Sequence, residues 1–275
     1  MLCKIIQTQQ ALREFVNHIA LFEIKEDIPI QDCQMSCPPL PENNLFFYPF
    51  ARPEVTYLTQ NKKELLPSGI LNGPQVNRVQ ITMPHNFTIK VGFQPGCLYR
   101  LLGVPLNEFT MDVALDSAYI FDKEIPFINE QLREATSYAQ MIEIIETFLL
   151  KKLRPLYEKS PIDAVLYKII ATGGLMTMDD IKAQSGVSVR QLERLFQQRT
   201  GMSPKFFVRL TRFSKAWIMK ENNPQLRWTD IAYTCGYFDQ MHLIRDFKEF
   251  AGVNPSVIME EFKKWPFSFH HQLFY

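Results

Sequence analysis

Residues 235–247 read Cys-Gly-Tyr-Phe-Asp-Gln-Met-His-Leu-Ile-Arg-Asp-Phe, and Gly252 and Pro255 come after them. Leu243, Arg245, Phe247, Gly252 and Pro255 repeat Leu192, Arg194, Phe196, Gly201 and Pro204 at a constant offset of 51 residues. The glycines that precede them, Gly186 and Gly236, are 50 apart, so the second turn is one residue longer. An internal repeat of this size is one supersecondary unit used twice.

Each unit predicts a helix-turn-helix. In the first, Thr177 and Asp180 have the spacing of a capping box, and a short helix follows with Ile181 and Ala183 turned inward. Gly186 suits the left-handed conformation that ends a helix. Ser188 is the next N-cap, with Gln191 three residues on as its capping-box partner. The helix it starts buries Leu192, Leu195 and Phe196 and leaves Arg190, Gln191, Glu193 and Arg194 outside. In the second unit Asp239 takes the cap, and Gln240, Met241, His242, Ile244 and Arg245 face outward. Ser203-Pro204 opens a long helix to about Asn222, with Phe207, Leu210, Phe213 and Met219 on one face. A second helix projecting its first turns from a tight turn is what a major groove accepts. Arginine pairs with guanine and glutamine with adenine. The expected DNA contacts are Ser188, Arg190, Gln191, Arg194, Gln240, Met241, His242 and Arg245, with Lys205, Arg209 and Arg212 on phosphates.

Composition agrees. The chain has 275 residues, 46% apolar and 21% charged, enough for two cores. No apolar run approaches the roughly 20 residues of a membrane span, and Met1 to Gln10 lack the pattern of an export signal. Five cysteines, at 3, 33, 37, 97 and 235, then read as reduced thiols of a cytoplasmic protein. Residues 1–158 hold 14 Lys and Arg against 18 Asp and Glu, whereas residues 159–275 hold 16 against 11. The basic half is the one that meets a polyanion.

The first 125 residues alternate like strands over Leu45–Tyr48, Val55–Thr59, Val76–Met83 and Phe87–Phe93. Pro38, Pro39 and Pro41 mark a loop. Gln9–Phe22 has helical spacing, and Pro95–Leu102 is a short helix stopped by Gly103. A stripe from Tyr138 through Met141, Ile145, Phe148 and Leu149 to Leu153 and Leu156 predicts a helix packed on its own domain or one that forms a dimer. Another helix runs over Ile162–Thr172. The fold class is therefore α+β. A mixed, β-rich sensory or dimerisation domain spans 1–125, a helical connector 126–158, and an all-α double helix-turn-helix domain with an aromatic tail 159–275. Phe47, Tyr57 and Arg52 fall in an aromatic cluster that is core or an apolar effector pocket with one cation.

The carrying motif, Cys235-Gly236-Tyr237 through Arg245-Asp246-Phe247-Lys248 to Gly252-Val253-Asn254-Pro255, resembles that of the AraC/XylS family of bacterial transcription regulators. Thr229-Asp230-Ile231-Ala232 and the first unit fit as well, so the resemblance covers about residues 160–260. It implies two readers in successive major grooves on one face of a duplex. RNA polymerase, a small-molecule effector and a second copy of the chain are the further partners expected, without cofactor or metal, and the sequence leaves activator or repressor open. Phe238 and Met241 depart from the small polar residues common there, which implies weaker or more apolar readout, for example of a thymine methyl. Gly92-Phe93-Gln94-Pro95-Gly96 and the stretch 101–110 resemble, less specifically, a β-rich N-terminal domain of some of these regulators.

Two other classes stand beside this reading. Some alkylation-repair proteins join a zinc-bound nucleophilic cysteine domain to the same module. Cys33 and Cys37 are four apart, but a second close pair is missing. The histidines 18, 85, 242, 270 and 271 have no metal spacing. An adaptor that uses the module for protein partners conflicts with Arg190, Arg194 and Arg245, although the tail residues Trp265, Phe267, Phe269, Phe274 and Tyr275 favour an extra contact.

Overall fold

Alternating apolar residues decide the N-terminal half. The computed structural model describes residues 2–73, 75–122, 124–152 and 158–264. The aromatic tail, His270 and His271, and Leu153 and Leu156 of the stripe lie outside them. Ten strands form: β1 (Leu2–Ile6), β2 (Val16–Ile24), β3 (Gln34–Cys37), β4 (Asn44–Phe47), β5 (Glu54–Tyr57), β6 (Lys62–Leu65), β7 (Gly69–Asn72), β8 (Val79–Thr82), β9 (Asn86–Phe93) and β10 (Ala114–Asp116). A six-stranded sheet has the order β1-β2-β9-β4-β7-β10 and a four-stranded sheet β3-β8-β5-β6. Every pairing is antiparallel.

The larger sheet is covered on both faces. Leu45, Phe47, Leu71, Ile89, Val91 and Phe93 point to one side and share a core with Leu98 and Leu101 of α1 (Cys97–Leu102). Their alternates Phe46 and Ile70 point to the other and meet Met35, Val55, Tyr57 and Val79 of the smaller sheet. Two-sided burial explains the one misread element. Gln9–Phe22 has the spacing of a helix, yet only Gln10–Leu12 make a single 3-10 turn, and Val16–Ile24 is a strand. A central strand apolar on both faces has no alternation to betray it.

The expected helical stripe forms α4 (Tyr138–Lys152), preceded by the short α2 (Ala118–Phe121) and by α3 (Glu124–Glu134). Met141, Ile145, Phe148 and Leu149 are at most 4% exposed and belong to the same core as the large sheet. Phe148 meets Phe47 and Phe121 edge-on at 5.8 and 5.4 Å. The described part of the stripe is thus buried inside its own chain.

The C-terminal half is helical: α5 (Pro161–Ala171), α6 (Met178–Ser185), α7 (Val189–Thr200), α8 (Pro204–Asn222), α9 (Trp228–Thr234), α10 (Gln240–Ala251) and α11 (Pro255–Lys264). Thr177 and Asp180 form a reciprocal capping box on α6. Ser160 and Asp163 form another on α5. On α7 the Ser188 hydroxyl accepts from the Gln191 amide at 3.3 Å as the N-cap, without the return bond of a full box. Ala183 is exposed rather than inward, and Arg227, at the N-cap position of α9, makes no side-chain capping bond. Phe213 of α8 lies 5.0 Å from both Phe247 and Phe250 of α10, and Trp217 stacks on Phe247 at 6.0 Å.

The N-terminal half also docks on the helices. Arg78 is 6% exposed. Its amide donates to the Phe250 carbonyl at 3.1 Å, its Nε to the Ala251 carbonyl at 2.8 Å, and its guanidinium pairs with Glu261. The Ser214 hydroxyl of α8 lies 3.1 Å from the Pro39 carbonyl. Arg199, at the end of α7, lies over the Tyr99 ring of α1 and pairs with Asp163.

This packing has two measurable consequences. Ile145→Ala removes a side chain that is 0% exposed and lowers stability by about 2–5 kcal/mol, the range for a truncated core residue. Denaturant unfolding reads the loss, and sedimentation shows no change in association. The second concerns the cap of α10. The Asp239 carboxylate accepts from the His242 amide at 2.9 Å, and this bond, with the His242 ring beside it, holds its carboxyl below the usual carboxylate range. A lowered folded value means the cap is complete above the ordinary value of 3.8 and is lost as pH falls through the lowered one. Protection of the His242 amide, taken relative to its intrinsic exchange rate, therefore falls below about pH 4, and Asp239→Asn removes that pH dependence while keeping a cap.

Candidate nucleic-acid interface

Each turn is set by a glycine in the left-handed region, Gly186 at φ 66° and Gly236 at φ 72°. A side chain at Gly236 would also meet Leu175 at 2.4 Å. The two turns diverge after their glycines. Val187 packs half-buried against the core and Ser188 caps α7. Tyr237 is buried, with its hydroxyl donating to Asp246 at 3.0 Å and Arg212 over its ring. Phe238 then intervenes before the cap Asp239, and it is 92% exposed.

The reading face of α7 is polar. Val189, Arg190, Gln191, Glu193 and Arg194 are exposed, while Leu192 and Phe196 are buried and Leu195 is half-buried. Arg194 donates to Gln198 one turn on, at 3.4 Å. The face of α10 is mixed. Met241, His242 and Arg245 are exposed, and Gln240 and Ile244 are half-buried. His242 Nδ1 lies 2.9 Å from Asp239 Oδ1 and its ring meets Phe238 edge-on at 6.0 Å. Tyr233 of α9, 86% exposed, adds an aromatic that the sequence pattern does not single out. On a helix of seven residues nothing in the spacing separates it from an inward aromatic.

Of the expected phosphate contacts, Lys205 is exposed on the first turn of α8. Arg209 is not available in the same way. It bonds Asp246 and Glu249 of α10, each at 2.6 Å, and lies over Phe250. Those bonds hold its guanidinium in the charged form and make it a brace between α8 and α10. Arg212 donates to the Gly174 carbonyl at 3.0 Å and is likewise structural. Charge and helix position suggest both residues; in the structure each guanidinium bonds partners 37 to 40 residues away in the chain.

The effector-pocket residues separate. A cavity of about 80 Å³ lies between the two sheets, lined by Tyr57 with Phe46, Tyr48, Asn44, Val79 and Ile81. Phe47 is 0% exposed and faces the helix-side core instead. Arg52 is exposed and does not line the cavity. The cation there is Lys90, whose ammonium lies 2.8 Å from Glu42, both side chains at most 5% exposed. Burial pushes the Glu42 carboxyl up, and Lys90 and His18 reverse this and hold it below the usual range.

Among the described residues no three His, Cys, Asp or Glu side chains are grouped to hold a metal. Cys33 and Cys37 are buried, and burial pushes the Cys37 thiol up to about 12.

Comparison with known proteins bears on the helical half above all. A family model described as a helix-turn-helix domain matches residues 182–261. The Msm operon regulatory protein of Streptococcus mutans is 27% identical over 141 residues, 49% of each chain. The HTH-type transcriptional activator RhaS of Escherichia coli is 30% identical over 82 residues, 30% of this chain and 29% of its own. The chain thus spans about half the length of the first curated relative and under a third of the second. The crystal structure of ToxT from Vibrio cholerae O395 aligns with 90% of this chain and 98% of its own, at 15% identity and a TM-score of 0.46. Over residues 182–261, from within α6 to α11, this chain matches a helix-turn-helix domain.

Proposed function

We propose that this protein is a sequence-specific, non-enzymatic transcription regulator that reads duplex DNA with α7 and α10 in successive major grooves. The carrying observation is the pair of capped helices whose first turns stand exposed while their far ends are fixed in one core. The spacer α8 has 19 residues, about 28 Å at about 1.5 Å per residue, and rigidity there holds the two readers in one register. The named relatives are a regulatory protein and a transcriptional activator. This supports activation through RNA polymerase, in the cytoplasm where the DNA is. A weak dimer of the N-terminal half would use a surface other than the α4 stripe.

The inter-sheet cavity is the site we assign to an effector. Its walls include Cys37 at the end of β3, Pro38, Leu40 and Glu42 from the loop after it, and Gln75 from another loop. The same loops reach the helical half, through Leu40 and Val76 in its core and Arg78 on α10 and α11. A ligand that shifts either loop changes the docking of the readers, and so binds docked and undocked states unequally, which regulation requires.

Selection of bound sequences from a random duplex library tests the function directly. A defined site is expected, and recovery of no preferred sequence refutes the reading. With roughly 6–10 phosphate contacts, affinity for that site falls by about 10³–10⁵ between about 50 and 200 mM salt. Arg190→Ala costs about 1–3 kcal/mol and relaxes one or two base positions, whereas Lys205→Ala weakens all sequences alike and lowers the salt slope by about 1. Arg209→Ala acts on thermal stability, because its charge is spent on Asp246 and Glu249.

A further inference from the structure

The two reading helices are alike in backbone and differ in chemistry at several outward positions, among them the one two residues past each N-cap. From the caps onward the repeat offset is 51 residues, so Met241 stands where the first unit has Arg190, and Arg245 where it has Arg194. Both Arg190 and Met241 are exposed, two residues past their N-caps, where reading helices approach bases. A guanidinium there donates to a guanine edge. A thioether has no donor to offer.

The neighbours of Met241 make the surface more apolar, not less. Phe238 has no counterpart in the first unit. Val187 and Tyr237 both turn inward after their glycines, and Phe238 is the added residue of the longer turn, pushed out to 92% exposure. Scattered exposed apolar residues need no explanation, but Phe238 and Met241, at 57%, flank one cap, with Tyr233, at 86%, on the preceding helix. The polar side chains beside Met241 are partly withdrawn. The His242 ring nitrogen faces Asp239 at 2.9 Å and Gln240 is half-buried. Arg245 lies a full turn further along.

The major groove displays one apolar feature at base level, the C5-methyl group of thymine. A flexible, polarizable methionine is suited to cover it. We propose that the second unit reads thymine through its methyl group, with Met241 in contact and Phe238 closing the contact from the turn, where the first unit reads guanine through Arg190. This rests on the reading of duplex DNA by α7 and α10 and specifies the base class at the second half-site.

The test uses the full chain and the site recovered by selection. Each thymine is replaced singly by deoxyuridine, which keeps every hydrogen-bonding group and deletes one methyl. At one or two positions affinity is expected to fall about fourfold, as for one buried methyl-sized group. With Met241→Ala the same replacement costs nothing, with Met241→Leu the penalty returns, and with Arg190→Ala it persists unchanged. Phe238→Ser is expected to shrink it. Uracil substitutions that leave specific binding untouched overturn the inference while the regulator reading stands. So does a penalty that survives Met241→Ala, or a site that Phe238 kinks as a wedge without any methyl effect. Absence of specific duplex binding overturns both readings.

Discussion

Burial of α8 is the constraint on which the helical half depends. Eleven of its nineteen residues are buried, on more than one face. Phe207 meets Phe196 of α7 at 6.0 Å, and Phe213 meets Phe247 of α10 at 5.0 Å. One helix therefore supplies core to both units, and neither reader can rotate without opening contacts shared with the other. A helix apolar on one stripe would carry one unit; this one is buried over a wider arc, with Lys205 left exposed in its first turn. Thr211 and Ser214 are tolerated inside it because each hydroxyl donates to a carbonyl one turn back.

Attachment of the N-terminal half follows a different rule. Its main grips on the readers are polar and buried: Arg78 on the end of α10 and on α11, and Arg199 of α7 under Tyr99. Buried charges add little net stability but are costly to leave unpaired. Such contacts make docking specific in geometry, since a small displacement strands a charge. Both grips hold the C-terminal ends of α7 and α10 and leave the first turns, with Arg190 and Met241, open.

The part of the fold legible in the sequence is local. The caps Thr177, Ser188, Ser203 and Asp239 act on amides within three residues, so their positions in sequence are their positions in space. The strand β6 leaves no such trace, because Lys62–Leu65 is exposed throughout and carries no apolar alternation. The strand Val16–Ile24 is hidden for the opposite reason, being buried almost throughout on both faces. Arg209 and Arg52 are misplaced by sequence reasoning because a cation's role depends on its partners. Asp246 is 37 residues from Arg209, and nothing in the run 46–57 tells which side of β4 meets the smaller sheet.

The same distinction explains why the cavity cation is not legible in the sequence. Lys90 sits on β9 between Ile89 and Val91, both 0% exposed on the helix-side core. Alternation places Lys90 on the opposite face, toward the smaller sheet, where a lysine is costly alone. Glu42 compensates it from the proline-bounded loop, and His18 of β2 stands 3.7 Å from the same carboxylate. The pair ties that loop to the sheet at the one place where the loop also reaches toward α8 through Pro39. A solvent-filled gap would weaken it by screening, and an apolar filling without hydrogen bonds would leave the carboxylate undersatisfied. A molecule that stabilises this arrangement must therefore bring polar groups to Glu42 or Lys90 together with an apolar body against Phe46, Tyr48 and Tyr57.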